Sequence, residues 1–419
     1  MSHLLIIDLP GGNDTDVLQA ALQGGHTFTF LSADIELYTS QTPVNAYLEK
    51  ARAVIHIPGF DYEEVQARVL ELNAREPFDA VLCLIDIRLT EAARLARALG
   101  LRYLNPQSAT LLRDKFKVRE RLEQFGIRQP PHVLATSSAE LKAAVERLGL
   151  PVLIKPVDGY GSQNIIVLEN EEDLEPWISP LEHILPSHAD YGLGVKANDR
   201  LMVERYMKGD FLGCDTFTVN GQHTLLGVNE KLMFPPPSFA IKGGCFWPND
   251  PRRQALEAYI FPILDAVGFD IGATHIELMM TDEGPQLIEI NPRLVGAKIA
   301  RLMGYALNRS VHLDLINLHL GTWRPETFQA QEHLAAVTRW LTVQEVGILD
   351  SIDLPPIKSP AIKSVEMFKK PGDPVSYPFE NAHRLGFVMT AASTREEAED
   401  VAEQFITATQ IKLSPPAGS

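Results

Sequence analysis

Along residues 1–105, short apolar runs alternate with stretches that have helical spacing. The runs have the length of strands and lack a polar face; they are Leu4–Asp8, Ala53–Ile57 and Ala80–Ile85. Such runs are typical of strands that are buried on both faces of a parallel sheet. Apolar positions in Tyr62–Arg75 and Thr90–Leu99 recur with helical spacing. The pattern therefore predicts an α/β domain with an open parallel sheet.

The middle of the chain is predicted to mix helices with antiparallel strands, an α+β arrangement. Helical spacing is found in Leu111–Phe125 and Ser138–Leu148. Strand-like runs then lie on both sides of a loop at residues 158–162, and another begins with LMVERYM. The strands CDTFTV and HTLLGV are joined by Asn220-Gly221, which is a strong signal for a β-hairpin.

The rest of the chain continues this mixture. Residues 233–248 are rich in proline, glycine and aromatic side chains, which predicts an ordered functional loop. Helices are expected over residues 253–267 and 298–319, with two strands between them. Residues 334–419 have the pattern of a separate lobe, with the strand LGFVMTAA and a closing helix at Arg395–Ala408.

These patterns divide the chain into four parts. We expect an N-terminal α/β domain over residues 1–105, followed by a central two-lobed core and a small C-terminal α/β lobe. The predicted limits of the two core lobes are residues 106–208 and 209–330, and the C-terminal lobe takes residues 331–419. A chain of 419 residues is too long for one compact core, which agrees with this division.

Composition and charge exclude several classes of protein. A content of 45% hydrophobic and 22% charged residues is typical of a folded soluble protein. The 38 basic and 54 acidic residues give a formal net charge of −16, which argues against a general nucleic-acid-binding protein. A local basic pocket for a phosphorylated ligand remains compatible with this charge.

Neither a disulfide framework nor a membrane segment is expected. The three cysteines, Cys83, Cys214 and Cys245, form no CxxC motif and have no metal-ligand spacing. The N-terminus lacks a basic region followed by a cleavage site, and no run of about 18 apolar residues occurs. We therefore expect a cytoplasmic protein whose partners include neither nucleic acid nor a membrane.

The most informative segment for function is the hairpin THIELMMTDEGPQLIEINPR. Residues two apart in a strand face the same way, so Glu289 and Asn291 share a face, and a turn near Glu283 brings Glu277 towards Glu289. Two carboxylates and an amide oxygen suit Mg²⁺. Arg293 reaches the same region and places a guanidinium where negative charge develops. An ordinary surface hairpin with alternating polar positions explains the same pattern, so both interpretations stay open.

A second group of residues suits phosphates and a nucleotide base. Lys155 ends a strand just before a loop with Gly159 and Gly161, whose backbone N–H groups can cover phosphates. Lys115 lies on a charged helix, and Glu204 lies on a strand whose backbone can pair with the edge of adenine. Each feature also has an ordinary structural explanation: a lysine at a strand end, an exposed helix lysine and a half-buried strand.

These pieces occur in a fixed order along the chain. The order is Asp114-Lys115, Ile154-Lys155-Pro156 with its glycine loop, Glu204-Arg205-Tyr206-Met207, Glu277 and Glu289-Ile290-Asn291-Pro292-Arg293. The succession resembles the ATP-grasp superfamily of carboxylate–amine ligases over residues 1–320, and the segment LGFVMTAASTREEAEDVAEQ resembles the C-terminal module of some members. The segments LIEINPRL and PPPSFAIKGGCFWP are most similar to the branch of L-amino-acid ligases and dipeptide synthetases.

The resemblance implies ATP and two Mg²⁺ ions as cofactors, with Mn²⁺ as a substitute for Mg²⁺. The implied ATP contacts are Lys115, Lys155, Gly161 and Ser162 for the phosphates, and Glu204, Arg205 and Met207 for adenine. The implied metal ligands are Glu277, Glu289 and Asn291. Arg293 and Lys155 are the implied catalytic residues, and Arg293 would stabilise the acyl phosphate and the tetrahedral intermediate.

Three positions depart from the pattern of many relatives. Phe211 stands where a glutamate binds ribose, so three options stay open: Asp210 takes over that contact, Asp215 takes it over, or the ribose contact is absent. Lys242 stands where an acidic residue precedes the glycine, which favours an acidic substrate. Residues 294–297 are less rich in glycine than expected, so the shape of the pocket differs. The expected substrate contacts are Lys242, Gly243, Arg293 and Gly296.

The implied activity is ATP-dependent formation of an amide bond between an amino acid and a second amino acid or a small carboxylic acid. Which acid and which amine are joined stays open, as does the oligomeric state, for which a homodimer is one option. Two other functions also stay open: an ATP-grasp enzyme of the carboxylase or purine-pathway type, and a nucleotide-binding regulator without catalysis. The joint presence of Glu277, Glu289, Asn291 and Arg293 argues against the regulator, because binding alone does not require all four.

Overall fold

The computed structural model describes residues 1–12, 14–159, 165–170, 200–235, 240–296, 298–328, 334–378 and 383–415. Within these residues the chain forms four β-sheets with helices packed against them. In this part of the chain, no helix has both the length and the apolar character that a membrane span requires.

The N-terminal sheet is parallel, as the apolar runs predict. Its strands are β1 (His3–Ile7), β2 (Thr27–Ser32), β3 (Ala53–His56) and β4 (Ala80–Cys83). They are arranged in the order β3-β2-β1-β4, and alternate residues of β1 belong to two apolar cores on opposite faces. The expectation of burial on both faces is wrong for β3, where Val54 is exposed, because the edge of the sheet is only partly covered.

Five helices from the same part of the chain pack on this sheet. They are α1 (Asp16–Gln23), α2 (Glu36–Thr39), α3 (Thr42–Leu48), α4 (Tyr62–Arg75) and α5 (Leu89–Leu99). Helix α4 has the predicted limits and begins where the Asp61 carboxylate accepts a 3.0 Å hydrogen bond from the Glu64 N–H. The carboxyl ends of β1 and β4 meet at one edge of the sheet, which is where Asp8 and Asp86 lie.

A second, antiparallel sheet follows, with the strands β5 (His132–Ala135), β6 (Val152–Pro156), β7 (Ile166–Leu168) and β8 (Leu201–Arg205) in the order β5-β8-β6-β7. Helix α8 (Ser138–Leu148) packs on it with the predicted limits. The prediction of one helix over residues 111–125 is wrong. The segment contains parts of two helices, α6 (Pro106–Leu112) and α7 (Lys115–Gln124), because the backbone of Asp114 is extended and its carboxylate caps α7.

An eight-stranded antiparallel sheet forms the centre of the molecule. Its strands are β9 (Asp210–Val219), β10 (Gln222–Met233), β11 (Ile241–Trp247), β12 (Ile271–Thr281), β13 (Gly284–Asn291), β14 (Ala335–Leu341), β16 (Ile362–Met367) and β18 (Gly386–Ala392). Their order is β13-β12-β9-β10-β11-β14-β18-β16. Asn220-Gly221 joins β9 to β10, which confirms the predicted hairpin. The loop predicted over residues 233–248 is wrong at β11, which pairs with β10 and β14.

The central sheet continues past the expected domain limit at residue 331, since β11 pairs directly with β14. A three-stranded sheet of β15 (Gly347–Asp353), β17 (Pro374–Val375) and β19 (Gln410–Ser414) completes the C-terminal part. Helix α12 (Arg395–Ala408) has the predicted limits and is capped by Thr394. The C-terminal part is therefore α/β as predicted, although it shares a sheet with the preceding lobe. The four domain limits stay predictions.

Three further helices are α9 (Arg253–Ala266), α10 (Ile299–Leu307) and α11 (Val311–His319). The prediction of one helix over residues 298–319 is wrong. Asn308 has a left-handed backbone with φ 51° and ends α10, and the Ser310 hydroxyl accepts a 3.2 Å hydrogen bond from the Leu313 N–H to start α11. The interruption turns the chain so that both helices contact the central sheet.

Candidate active site

The β12–β13 hairpin has the register that the sequence predicts. Glu277 lies directly opposite Glu289, and His275 lies directly opposite Asn291. Asn291 and His275 are buried, whereas the side chains of Glu277 and Glu289 keep 20% and 21% of their surface exposed. The hairpin therefore presents two neighbouring carboxylates at an accessible surface, with an amide and an imidazole beneath them.

Each of these carboxylates has a lysine beside it. Lys231 of β10 forms an ion pair with Glu277, and the Nζ atom of Lys115 lies 3.5 Å from Oε2 of Glu289. Burial raises the pKa of Glu277, but Lys231 and His275 lower it by more, so the net pKa lies well below the ordinary value. The two lysines thus offset the repulsion between like charges that face each other across the hairpin.

The donor set fits a hard divalent cation. Glu277, Glu289 and the amide oxygen of Asn291 supply three oxygen ligands, and Mg²⁺ prefers oxygen. The two ammonium groups beside the carboxylates show that cations are favourable at this position. Within the described residues, no three His, Cys, Asp or Glu side chains gather closely enough to hold a metal ion. An ion here would therefore need Asn291 and further ligands from a bound nucleotide or water.

Arg293, just beyond β13, is held by a residue of the N-terminal domain. Oδ2 of Asp86 accepts hydrogen bonds from Nε of Arg293 at 2.8 Å and from Nη2, while Nη1 donates to the carbonyl oxygen of Leu294 at 2.9 Å. Asp86 is buried in the turn after β4. Burial raises the pKa of Asp86, but Arg293, Arg113 and Lys115 together lower it by more, so the carboxylate is ionised. The orientation of the guanidinium therefore depends on an ion pair between the end of β13 and the turn after β4 of the N-terminal sheet.

Lys155 lies in a buried group of three charges with Glu204 and Arg119. Lys155 pairs with Oε1 of Glu204, and Nε of Arg119 donates to Oε2 at 3.0 Å. Arg119 also donates to the Leu287 carbonyl at 2.8 Å and Lys155 to the Ile288 carbonyl at 3.3 Å, which ties the group to β13. The Glu204 carboxylate thus lies between two cations, and its predicted contact with adenine stays a prediction.

Helix α7 also holds the beginning of the glycine loop. The Lys115 N–H donates to the Val157 carbonyl at 2.8 Å, and the Lys115 ammonium donates to the Gly159 carbonyl. Nη2 of Arg113 donates to the Asp158 carbonyl at 2.9 Å. Lys115 therefore contacts both the glycine loop and the carboxylate hairpin. Gly161 and Ser162, the predicted flap residues, lie outside the described residues.

A single cleft joins several of these groups. Its polar lining consists of Asp86, Arg113, Lys115, Arg119, Glu289 and Asn291. Leu112, Val118, Leu287 and Ile290 supply the apolar part of the wall. The cleft thus lies where the N-terminal domain, the α6–α7 segment and the hairpin meet.

The segment predicted to hold adenine and ribose connects β8 to β9. The Arg205 N–H donates to the Pro131 carbonyl at 3.0 Å, and Met207 follows in the connection. Asp210 is exposed, with Oδ2 3.6 Å from Nη1 of Arg252. The Lys231 ammonium lies over the Phe211 ring, with its Nζ atom 4.2 Å from the centroid of that ring. The nucleotide contacts of Arg205, Met207 and Asp210 stay predictions.

The predicted substrate residues lie in two places. Lys242 is exposed where the pairing of β10 with β11 is irregular. A methyl group at Gly243 would lie 2.6 Å from the Thr338 carbonyl oxygen, so packing against β14 already explains this glycine. A methyl group at Gly296 would meet no atom of the described residues within 4 Å, so this side of the backbone is open. The substrate contacts of these residues stay predictions.

Comparison with known proteins decides the family. Residues 148–301 match the family model of the ATP-grasp domain. The chain contains an ATP-grasp domain. Residues 339–414 match the model of L-amino acid ligase C-terminal domain 2. Within the superfamily the chain is therefore most like the L-amino-acid ligase branch, which confirms the resemblance carried by the ordered motifs.

Individual relatives agree with this assignment. The chain is 22% identical over 263 residues to an L-arginine-specific L-amino acid ligase of Bacillus subtilis, covering 62% of each chain. It is 26% identical over 313 residues to carnosine synthase 1 of Mus musculus, covering 70% of this chain and 36% of that one. The matched region thus spans less than two thirds of either curated relative. The crystal structure of an L-amino acid ligase from Bacillus licheniformis has the same fold, with a TM-score of 0.79, 20% identity and 99% coverage of both chains.

Several residues of the candidate site were not predicted from the sequence. Asp86, Arg119 and Lys231 each hold a residue that was predicted. Arg119 lies four positions after Lys115 on α7, so the helical period could have placed both on one face. Asp86 and Lys231 carry no such signal, because they meet Arg293 and Glu277 through tertiary contacts alone.

The buried charge group predicts a specific dependence of stability on pH. Burial raises the pKa of Glu204, but Arg119 and Lys155 outweigh it and lower the pKa from 4.5 to about 2. The group therefore stabilises the folded protein by about 3 kcal/mol above pH 4.5, and this stabilisation is lost as the pH falls towards 2. We expect Glu204→Gln to lower the free energy of unfolding by about this amount at pH 7 and by much less at pH 3, measured by urea unfolding.

Glu140→Gln is the control for this measurement. Glu140 is an exposed carboxylate near the start of α8, and its replacement should change the free energy of unfolding little at either pH. An effect of Glu204→Gln that has the same size at pH 7 and pH 3 would contradict the assignment of charges.

Proposed function

We propose that this ATP-grasp protein is a ligase that forms an amide bond from a carboxylic acid and an amine, with release of ADP and phosphate. The observation that carries the proposal is the pair of facing carboxylates, Glu277 and Glu289, with Lys115 and Arg293 beside them. Oxygen ligands for a divalent ion and fixed cations are needed together where a phosphoryl group is transferred.

The same residues define the proposed cofactor sites. Glu277, Glu289 and Asn291 would hold Mg²⁺, as two ions, with Mn²⁺ able to replace it. Bound there, the ions neutralise charge on the phosphates of ATP. Lys115 reaches the cleft from α7 and would contact the phosphates directly. Lys155, whose ammonium donates to the Ile288 carbonyl of β13, would add positive charge near the hairpin.

In the proposed first step, an oxygen atom of the substrate carboxylate attacks the γ-phosphorus of ATP. The bond from the γ-phosphorus to the bridging oxygen breaks, and ADP leaves with the electron pair. The product is an acyl phosphate. Lys115 and Arg293 contribute by holding positive charge beside the reacting oxygens, and the cleft walls keep out water that would hydrolyse this intermediate.

In the proposed second step, the lone pair of the amine nitrogen attacks the acyl carbon and forms the C–N bond. The C–O bond to phosphate then breaks, phosphate leaves with the electron pair, and the nitrogen releases a proton. Arg293 would stabilise the oxyanion of the tetrahedral intermediate. Its contacts with Asp86 and Leu294 use three of its five N–H groups, so one N–H on each terminal nitrogen is left for the substrate.

An amino acid is the proposed amine substrate. The names of the two curated relatives, an L-amino acid ligase and a carnosine synthase, support this choice. The match of residues 339–414 to a domain of L-amino acid ligases favours it over a carboxylase or purine-pathway reaction. Lys242, exposed at the irregular pairing of β10 with β11, supports an acidic partner.

A phosphate-release screen tests the proposal. The protein is incubated with ATP and Mg²⁺ and with pairs of amino acids and dicarboxylic acids, and products are identified by mass. We expect ADP release that needs both an acid and an amine, with an amide product in equal amount. Hydroxylamine in place of the amine should trap a hydroxamate. Turnover that needs bicarbonate and no amino acid, or ATP binding without turnover, would overturn the proposal.

Glu289→Ala should abolish turnover and leave the protein folded. The change removes a metal ligand, and the side chain is partly exposed and adds little to the core. Circular dichroism and the ADP-release assay measure the two effects. Glu283→Ala, in the turn of the same hairpin, is the control and should keep full activity. Substantial activity of Glu289→Ala would show that the hairpin is not the metal site.

Asp86→Asn should lower kcat by about 100-fold and leave the KM for ATP unchanged, because the guanidinium of Arg293 loses the charge that orients it. Steady-state kinetics with saturating acid and amine measures both constants. Asp16→Asn is the matched control, since Asp16 of the N-terminal domain pairs in the same way with Arg301 of α10. Equal kinetic effects of the two variants would refute a specific role of Asp86.

Lys242→Glu should change which acid is accepted more than it changes ATP binding. A carboxylate at this exposed position would repel an acidic substrate that the lysine attracts. The ratio of kcat/KM for a dicarboxylic acid to that for a neutral amino acid should fall by about tenfold or more. An unchanged ratio would dispose of the acidic-substrate hypothesis.

A further inference from the structure

A buried row of polar side chains lies beneath Glu277. Asp215 of β9 and His275 of β12 are 1% and 2% exposed, and they face each other across paired strands. His275 and Glu277 are two positions apart on β12, so their side chains project from the same face of the sheet. The reaction proposed for the cleft uses neither Asp215 nor His275.

Each member of the row has a specific partner. Nδ1 of His275 donates to Oδ1 of Asp215 at 3.0 Å, and the Asn229 amide donates to Oδ2 of Asp215. Nε2 of His275 is buried without a hydrogen bond and lies 3.5 Å from Oε1 of Glu277. Asp215 therefore fixes the imidazole ring, and the remaining ring nitrogen points at the carboxylate that we propose as a metal ligand.

The sheet leaves space for this ring at one residue. Gly213 of β9 lies directly opposite Glu277, and a methyl group there would lie 2.3 Å from Cε1 of His275. The ring thus occupies the volume that a side chain at position 213 would fill. Any larger residue at that position would push the imidazole out of line with Glu277.

We propose that Asp215 and His275 are positioning residues, which hold the Glu277 carboxylate in the orientation that a divalent cation requires. The proposal rests on the proposed function, since it takes Glu277 as a metal ligand. A buried carboxylate and imidazole are unfavourable for stability unless they are paired. Here Asp215 is paired with both Asn229 and His275, and the other side of the His275 ring faces Glu277. Partners that orient a ligand typically change metal affinity by 10- to 100-fold when they are removed.

The test measures binding of Mn²⁺ directly, with ADP present, through the loss of the EPR signal of free Mn²⁺. His275→Phe keeps the ring volume and removes both nitrogens, so we expect Mn²⁺ to bind about tenfold or more weakly. His275→Gln keeps a donor that can reach Glu277 and should recover part of the affinity. Gly213→Ala keeps every polar group but displaces the ring, and it should weaken binding as well.

His319→Phe is the matched control. His319 is also buried, and its Nδ1 atom contacts the Arg102 carbonyl at 3.2 Å at the end of α11. We expect this variant to bind Mn²⁺ like the wild type, even if it is less stable. Unchanged Mn²⁺ binding in both His275→Phe and Gly213→Ala would overturn the positioning role.

The wild type and Glu289→Ala separate this proposal from the proposed function. If the wild type binds Mn²⁺ with ADP and Glu289→Ala does not, the metal site exists, and the His275 variants then decide the positioning role alone. If the wild type and Glu289→Ala bind Mn²⁺ equally, the metal site itself is wrong, and the positioning role is overturned with it.

Discussion

The arrangement around the cleft is set by the need to neutralise two like charges, Glu277 and Glu289, which lie directly opposite each other on paired strands. Like charges in this arrangement destabilise a sheet, so the pair persists only if other groups neutralise it. Lys231 reaches Glu277 from two strands away, and Lys115 reaches Glu289 from a helix of another lobe. The same carboxylates that fit a divalent ion thus fix the positions of two lysines.

Ion pairs near the hairpin connect parts of the chain that have separate apolar cores. Arg293 follows the hairpin and is held by Asp86 from the N-terminal sheet. Arg119 of α7 binds Glu204 of the small sheet and also the backbone of β13. The pairs Arg293–Asp86 and Arg119–Glu204 cross between elements that pack in different cores. Although the chain has a formal net charge of −16, three basic residues, Arg113, Lys115 and Arg119, line one cleft, where a polyanionic ligand is expected.

How much of this the sequence predicts depends on the range of the interaction. The side chains of a strand alternate between its two faces, and a short turn joins β12 to β13. These two local features are enough to predict that Glu277 and Glu289 lie opposite each other. The glycines of β11 suggest a loop, whereas in the structure Gly243 allows close pairing with β14 and Gly244 with β10. The pairs Arg119–Glu204 and Asp86–Arg293 join residues 85 and 207 positions apart, and no local period encodes such contacts.

The ion pairs also constrain how a nucleotide could enter the proposed site. A divalent ion at Glu277 and Glu289 would compete with Lys231 and Lys115 for the same carboxylate oxygens. The phosphates of ATP offer these lysines new anionic partners, so a lysine that the ion displaces from the hairpin can pair with the nucleotide instead. Metal and nucleotide would then bind together more favourably than either alone, because separate binding leaves charge unpaired in a partly buried cleft. Lys155 differs from these two lysines, since its ammonium is buried and paired with Glu204, away from the two facing carboxylates.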